Sequence, residues 1–150
     1  MIAIGCDNLG LDLKNKVIEE FTKKGYEFQD FGTYDKNPMD YPDIAYKVAT
    51  EVAKGKFERG VLICGTGIGM AISANKVKGA YAAVCHDLYS TERSILSNNI
   101  QIACFGALVV GPSTVISLLD RWLKLEFKES PSSKKIAKIK EIEAKQGGAN

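Results

Sequence analysis

The sequence predicts an α/β fold in which a parallel sheet is covered by helices on both faces. Three observations carry that prediction: five short apolar runs rich in β-branched residues, helix-period stretches between them, and a glycine-rich turn closing the third run. The runs are Ile2 to Cys6, Tyr26 to Phe31, Gly60 to Cys64, Ala80 to Cys85 and Gln101 to Phe105. Strands covered on both faces need apolar residues at nearly every position rather than at alternate ones, and most of these runs have them.

The helical stretches show apolar stripes. Leu13, Val17, Ile18 and Phe21 mark one before the Gly25 stop, and Ile44, Val48, Val52 and Ala53 mark another before Gly55. Pro112, whose fixed φ suits a first helical turn, opens a helix carrying Val115, Leu118, Leu119 and Trp122. Near the end, Lys134 to Lys145 spaces Ile136, Ile139 and Ile142 along one face. That segment either packs on a partner subunit or lies solvated, with Gln146 to Asn150 frayed. The 150 residues, 45% hydrophobic and 25% charged, fit one domain over 1–150 with a helical tail at about 132–146.

Composition excludes several classes. A net charge of +2, with lysines spread along helix faces, gives no electrostatic case for nucleic acid. No basic leader with an apolar core opens the chain and no apolar run approaches a membrane span, so a cytoplasmic protein with no membrane partner is expected. Cys6, Cys64, Cys85 and Cys104 are widely spaced without a Cys-x-x-Cys pair, and His86 is the only histidine. Neither a disulfide framework nor a metal site is expected, and no cofactor.

The stretch 59–76, RGVLICGTGIGMAISANK, is the most informative. An apolar strand ends at Cys64 and turns through Gly65, Thr66, Gly67 and Gly69 into a helix. The first helical N–H groups lack partners and the helix dipole favours negative charge, so the turn is an anion site beside a thiol. A dinucleotide fingerprint from Gly65 would need glycine where Met70 stands, and a P-loop would need Gly-Lys-Ser/Thr where Gly69-Met70-Ala71 stands. Cys64 reads either as a small buried hydrophobe or as a thiol that exchanges a proton with whatever the donors hold. Ligands of parallel sheets bind outside the carboxyl ends of the strands. Cys6-Asp7-Asn8, Cys64-Gly65-Thr66 and the Gly106 turn therefore share one rim. Asp40-Tyr41-Pro42 ends a polar loop from Gly32 that either reaches this rim or is a simple turn.

The run Cys64-Gly65-Thr66-Gly67-Ile68-Gly69 with Ala74-Asn75-Lys76, the opening Gly5-Cys6-Asp7, the stretch Asp30-Phe31-Gly32-Thr33-Tyr34, then Asp40-Tyr41-Pro42, and Cys85-His86-Asp87 followed by Tyr89-Ser90 together resemble the ribose-5-phosphate isomerase B and galactose-6-phosphate isomerase family. The resemblance covers roughly residues 1 to 127. It implies a three-layer α/β/α sandwich about a five-stranded parallel sheet, Rossmann-like, and metal-free aldose–ketose isomerisation of sugar phosphates. It also implies active sites shared between subunits, with Cys64 as base and the N–H groups of Gly65, Gly67, Ile68 and Gly69 as donors to an enediolate oxygen. Thr66 would add a hydroxyl, and Asp7 and Tyr41 would lie at the sugar.

Departures from the family pattern are as informative. After the first strand Asn8 stands where many members carry histidine. Before the fifth strand Ser97-Asn98-Asn99 replaces His-Asn-Asp, so a hydroxyl occupies the place of the ring-opening imidazole and Asn98 remains as a substrate contact. Near the end Glu129 to Lys135 replaces a segment with two phosphate-binding arginines, leaving Lys134 or Lys135 for that task. His86 is expected to be structural or supporting. This split resembles the galactose-6-phosphate isomerase B subunit, whose A subunit completes the enzyme. The expected partners are thus a sugar phosphate and a second subunit, identical or related, in a dimer or tetramer. A homodimeric isomerase for another sugar phosphate, such as an open-chain tetrose or a pentose that needs little ring opening, and a non-catalytic binding protein are the alternatives.

Overall fold

The computed structural model describes residues 1–147. Its elements run β1 (Ile2–Cys6), α1 (Leu11–Lys23), β2 (Phe28–Asp30), α2 (Tyr41–Ala53), β3 (Arg59–Cys64), α3 (Ile68–Asn75), β4 (Ala82–Val84), α4 (Leu88–Leu96), β5 (Ile102–Gly106), α5 (Pro112–Leu123) and α6 (Ser133–Gly147). A short 3₁₀ turn, Asn8–Gly10, links β1 to α1. The five strands are all parallel, in the order β2-β1-β3-β5-β4.

Strand alternation divides the core into two layers. Ile2, Ile4, Cys6, Val61, Ile63, Ala103 and Phe105 pack against α1, α4 and α5, while Ala3, Leu62, Cys64, Ile102 and Cys104 pack against α2 and α3. Steps toward the β2 edge carry their helix on the first face and steps toward the β4 edge on the second. All four crossovers therefore have one hand, as the twist of parallel strands requires. The chain reverses direction across the sheet between β1 and β3, which opens a crevice at their carboxyl ends.

The expected strands survive with changed limits. β2 is shorter than Tyr26 to Phe31 because the Tyr26 N–H closes the end of α1 on the Phe21 carbonyl (3.0 Å), and its ring packs edge-on against Phe21. β4 is shorter than Ala80 to Cys85 because Ala80 turns back on Val77. On the free edge of β4, the Asn75 side-chain amide both donates to the Ala82 carbonyl and accepts its N–H, each at 2.9 Å. A side chain thus substitutes for a neighbouring strand and blunts the edge. β3 begins one residue earlier than expected, at Arg59, and β5 is displaced by one, to Ile102–Gly106. The tail helix, expected at about 132–146, runs Ser133–Gly147, and the fraying expected from Gln146 does not hold at Gln146 and Gly147, which belong to α6. The rest of that expectation lies outside the described residues. No helix among the described residues is long and apolar enough to cross a membrane.

One buried charge fixes the segment that follows β2. Lys14 on α1 is fully buried; its ammonium donates to Asp30 Oδ1 (2.8 Å) and to the Thr33 carbonyl, and lies 5.0 Å from the centre of the Tyr34 ring. Asp30 Oδ1 also accepts the Gly32 N–H at 2.8 Å. The loop leaves from this anchor, and the Met39 N–H reaches Asn8 Oδ1 (3.4 Å) just before α2 begins. Asp30→Ala leaves a buried ammonium without its counter-ion and is expected to lower stability by about 3 kcal/mol. Lys14→Met, apolar and of similar shape, is expected to cost markedly less, and urea midpoints of the two variants check the order.

Candidate active site

β3 delivers Cys64 to the rim, where Gly67, at φ +77°, turns the chain into α3. That left-handed conformation suits glycine, and it aims the Gly67 N–H at Cys64 Sγ (3.1 Å). Thr66 is exposed, and its Oγ1 accepts the Ile68 N–H at 3.3 Å. Backbone donors, a hydroxyl and a sulfur therefore converge at one helix start, a geometry suited to an oxyanion beside a proton-transfer group.

The neighbouring strand holds this turn from below. The Ala107 N–H donates to the Cys64 carbonyl (2.8 Å) and the Leu108 N–H to the Gly65 carbonyl (3.0 Å), so ladder bonding continues past the end of β3. A Cβ added at Gly106 would come within 2.6–2.7 Å of the Thr66 backbone, and only glycine permits that approach. Leu9 and Leu108 border Gly65, and both are exposed.

Asp7 and Asn8 stand across the crevice, just after β1. Asp7 is buried, and its Oδ1 accepts the N–H groups of Leu9 (3.0 Å) and Gly10 (3.1 Å). Burial pushes its carboxyl upward and these two donors oppose the shift. Tyr41 opens α2 and its phenol lies over Gly69, where an added Cβ would meet the ring. The polar loop thus does reach the rim. Cys64, Gly65, Thr66, Gly67, Ile68, Gly69, Asp7, Asn8 and Tyr41 are brought to one end of the sheet.

Ser97, Asn98 and Lys135 are not. Ser97 and Asn98 follow α4 at the amino-end side of β5, opposite Cys64, and Ser97 Oγ accepts from Arg93 Nε (2.7 Å). Lys135 is exposed on α6, which docks at that same end through Glu143, accepting from the Gly79 N–H (3.0 Å) and Tyr81 OH (2.7 Å). Burial and the Glu143 carboxylate push the Tyr81 phenol up to about 12. A groove of about 460 Å³ lies here along the edge of β4, between Asn75, Arg93, Asn98 and Ile139. The chain thus carries two separated sets, the rim set at one end and Ser97, Asn98 and Lys135 at the other.

His86, expected to be structural or supporting, stands at the rim as well. His86 Nε2 accepts the Gly106 N–H at 2.8 Å, and burial holds its imidazole below the ordinary histidine range. Spacing alone carries no signal of that bond, because it depends on where β4 ends. Among the four free thiols, Cys6, Cys85 and Cys104 are wholly enclosed. Burial pushes Cys6 and Cys85 up to about 11 and holds Cys104 well above the ordinary thiol range. Iodoacetamide at pH 8 is expected to label Cys64 first, and peptide mapping by mass spectrometry checks the site.

Comparison with known proteins agrees with this architecture. The Ribose/Galactose Isomerase family model matches residues 2–139. The chain is 50% identical over 144 residues to Ribose-5-P isomerase B of Listeria innocua, covering 96% of this chain and 97% of that one. It is 46% identical over 141 residues to D-erythrulose-4-phosphate isomerase of Pectobacterium atrosepticum, covering 92% and 91%. Galactose-6-phosphate isomerase subunit LacB of Clostridium acetobutylicum is 34% identical over 138 residues, covering 92% of this chain and 80% of that one. The structure of Clostridium thermocellum Ribose-5-Phosphate Isomerase B superposes with a TM-score of 0.94 at 43% identity, over 97% of this chain and 98% of that one. On its sequence, its sheet order and its strand-end turn alike, the chain belongs to the ribose/galactose isomerase family.

Proposed function

We propose that this sugar-phosphate aldose–ketose isomerase acts on an open-chain tetrose phosphate, with Cys64 as the base. The observation that carries the substrate reading is Ser97, whose hydroxyl is bound to Arg93 where the resemblance calls for a ring-opening histidine. A pentose 5-phosphate closes a furanose through its free O4, so an isomerase must open that ring first. A tetrose 4-phosphate has its O4 esterified and cannot close one, so the missing imidazole costs nothing. The relative of Pectobacterium atrosepticum, named for D-erythrulose 4-phosphate, supports the same reading.

Chemically, the Cys64 thiolate takes a proton from C1 of the ketose. The electron pair forms the C1–C2 double bond, and the C2 carbonyl becomes an enediolate oxygen held by the N–H groups after Gly65. Return of the proton to C2, with a proton passing between O1 and O2, gives the aldose. Asp7 and Tyr41 contact the sugar hydroxyls, and Thr66 adds a donor.

In the proposed assembly two copies pair so that Asn98 and Lys135 of one reach the Cys64 rim of the other, Lys135 at the phosphate. An identical partner suffices, because this chain retains both sets. A related partner subunit, as the resemblance to the galactose-6-phosphate B subunit suggests, would be needed only if the chain alone were silent.

The test is isomerisation of D-erythrulose 4-phosphate, ribose 5-phosphate and galactose 6-phosphate by the purified chain, followed by NMR. The tetrulose phosphate is expected to be turned over with kcat/KM about 10²-fold above the cyclic sugars, the size of a missing acid–base step. Cys64→Ala is expected to abolish turnover while leaving the melting temperature near that of the parent. Equal or faster turnover of ribose 5-phosphate would overturn the substrate reading.

A further inference from the structure

The side chain of His86 occupies a position that backbone holds elsewhere in the sheet. The Ile102 N–H donates to the Tyr81 carbonyl (3.1 Å) and the Cys85 N–H to the Cys104 carbonyl (3.0 Å), so β5 is laddered to β4 from Ile102 to Cys104. Residues two apart on a strand direct their N–H groups to the same side. The Gly106 N–H therefore faces β4, but that strand ends at Val84 and the chain is already turning into α4. The imidazole Nε2 takes the hydrogen bond instead.

Gly106 is the pivot of the Cys64 turn. One side of it is held by His86; the two residues after it hold the Cys64 and Gly65 carbonyls; and its α-carbon lies against the Thr66 backbone. We infer that His86 is a positioning residue of the Cys64 turn and works only as the neutral imidazole, whose Nε2 anchors the Gly106 N–H. This rests on the reading of Cys64 as the base.

Protonation turns Nε2 from an acceptor into a donor facing another donor, which breaks the anchor. Of the charged groups on the described elements, only Asp87, next in the chain, acts on the ring. β5 presents the Phe105 ring, at 6.5 Å between centres, and the Gly106 N–H, while the Thr66 turn beyond it brings no charge. Burial favours the neutral ring, so the anchor still holds at the ordinary histidine pKa of about 6.5 and fails only as pH falls further. The bond then links the state of one imidazole to the placement of the sulfur and its donors.

The experiment compares the parent with His86→Gln, whose amide oxygen can accept without titrating, and His86→Leu, which cannot accept. Two readouts are taken from pH 5 to 8: kcat/KM on D-erythrulose 4-phosphate and the iodoacetamide rate at Cys64. His86→Gln is expected to keep activity within a few-fold of the parent at pH 7.5 and to show a shallower fall on the acid side. His86→Leu is expected to lose about 10- to 100-fold in kcat/KM at every pH, the scale of a displaced catalytic group. In ¹⁵N NMR the Gly106 amide of the parent should move with His86 titration and that of His86→Gln should not. A parent-like acid limb in His86→Gln, or a Gly106 amide indifferent to pH, would overturn the inference. Inactivity of all three proteins with the expected alkylation and NMR patterns would instead overturn the substrate reading and leave this one standing. Should His86→Leu fail to fold, His86→Gln and the amide titration decide alone.

Discussion

The close approach of Gly106 to the Thr66 backbone is the constraint on which the rim depends. Parallel strands normally diverge where their connections begin, because each chain must leave the sheet for its helix. Here β5 continues to bond the chain beyond β3, at Ala107 and Leu108, while that chain is already forming the glycine turn. The turn is thereby fixed by main-chain bonds on one side and by α3 on the other. Catalytic geometry held by backbone loses little to side-chain freedom, which is the condition for preorganised donors. Gly67 and Gly69 serve the same end, one by its left-handed φ and the other by leaving room for the Tyr41 ring.

The fold was legible where local chemistry decides it. Ile2 to Cys6 and the run to Cys64 are apolar at nearly every position and became central strands, with their pairing Cys6 to Ile63 in register. Tyr26 and Ala80 misled because each also satisfies a neighbouring helix end or turn, and the local bond won over the strand. The buried ammonium of Lys14 was invisible for a similar reason. A lysine within an amphipathic helix reads as solvated, and only the return of Asp30 and Thr33 to α1 encloses it.

The rim set was also legible, since Cys64 and its glycines lie in one short stretch and Asp7 and Tyr41 end predicted elements. His86 was read as structural or supporting, but its bond to Gly106 was not legible, because that contact is long-range and depends on β4 stopping at Val84. The separation of Ser97, Asn98 and Lys135 from Cys64 follows directly from topology. In a parallel sheet a crossover helix returns the chain to the amino end, so residues that close α4 lie opposite the close of β3, and Glu143 holds α6 at that same amino end on Gly79 and Tyr81.

That separation divides the chemistry as well. Proton transfer at carbon needs a base and oxyanion donors, which in the proposed mechanism are the Cys64 thiol and the backbone N–H groups of the turn. Recognition of the rest of the sugar phosphate, on the proposed reading, falls to side chains on the α4–β5 connection and on α6. Changes there leave the glycine turn untouched, since no bond of the turn reaches across the sheet to them. A histidine can give way to Ser97, or an arginine to Lys135, without disturbing the placement of Cys64. On that reading the carbon chemistry stays constant while the sugar changes, and the loss of a ring-opening group becomes a shift in substrate from cyclic to open-chain.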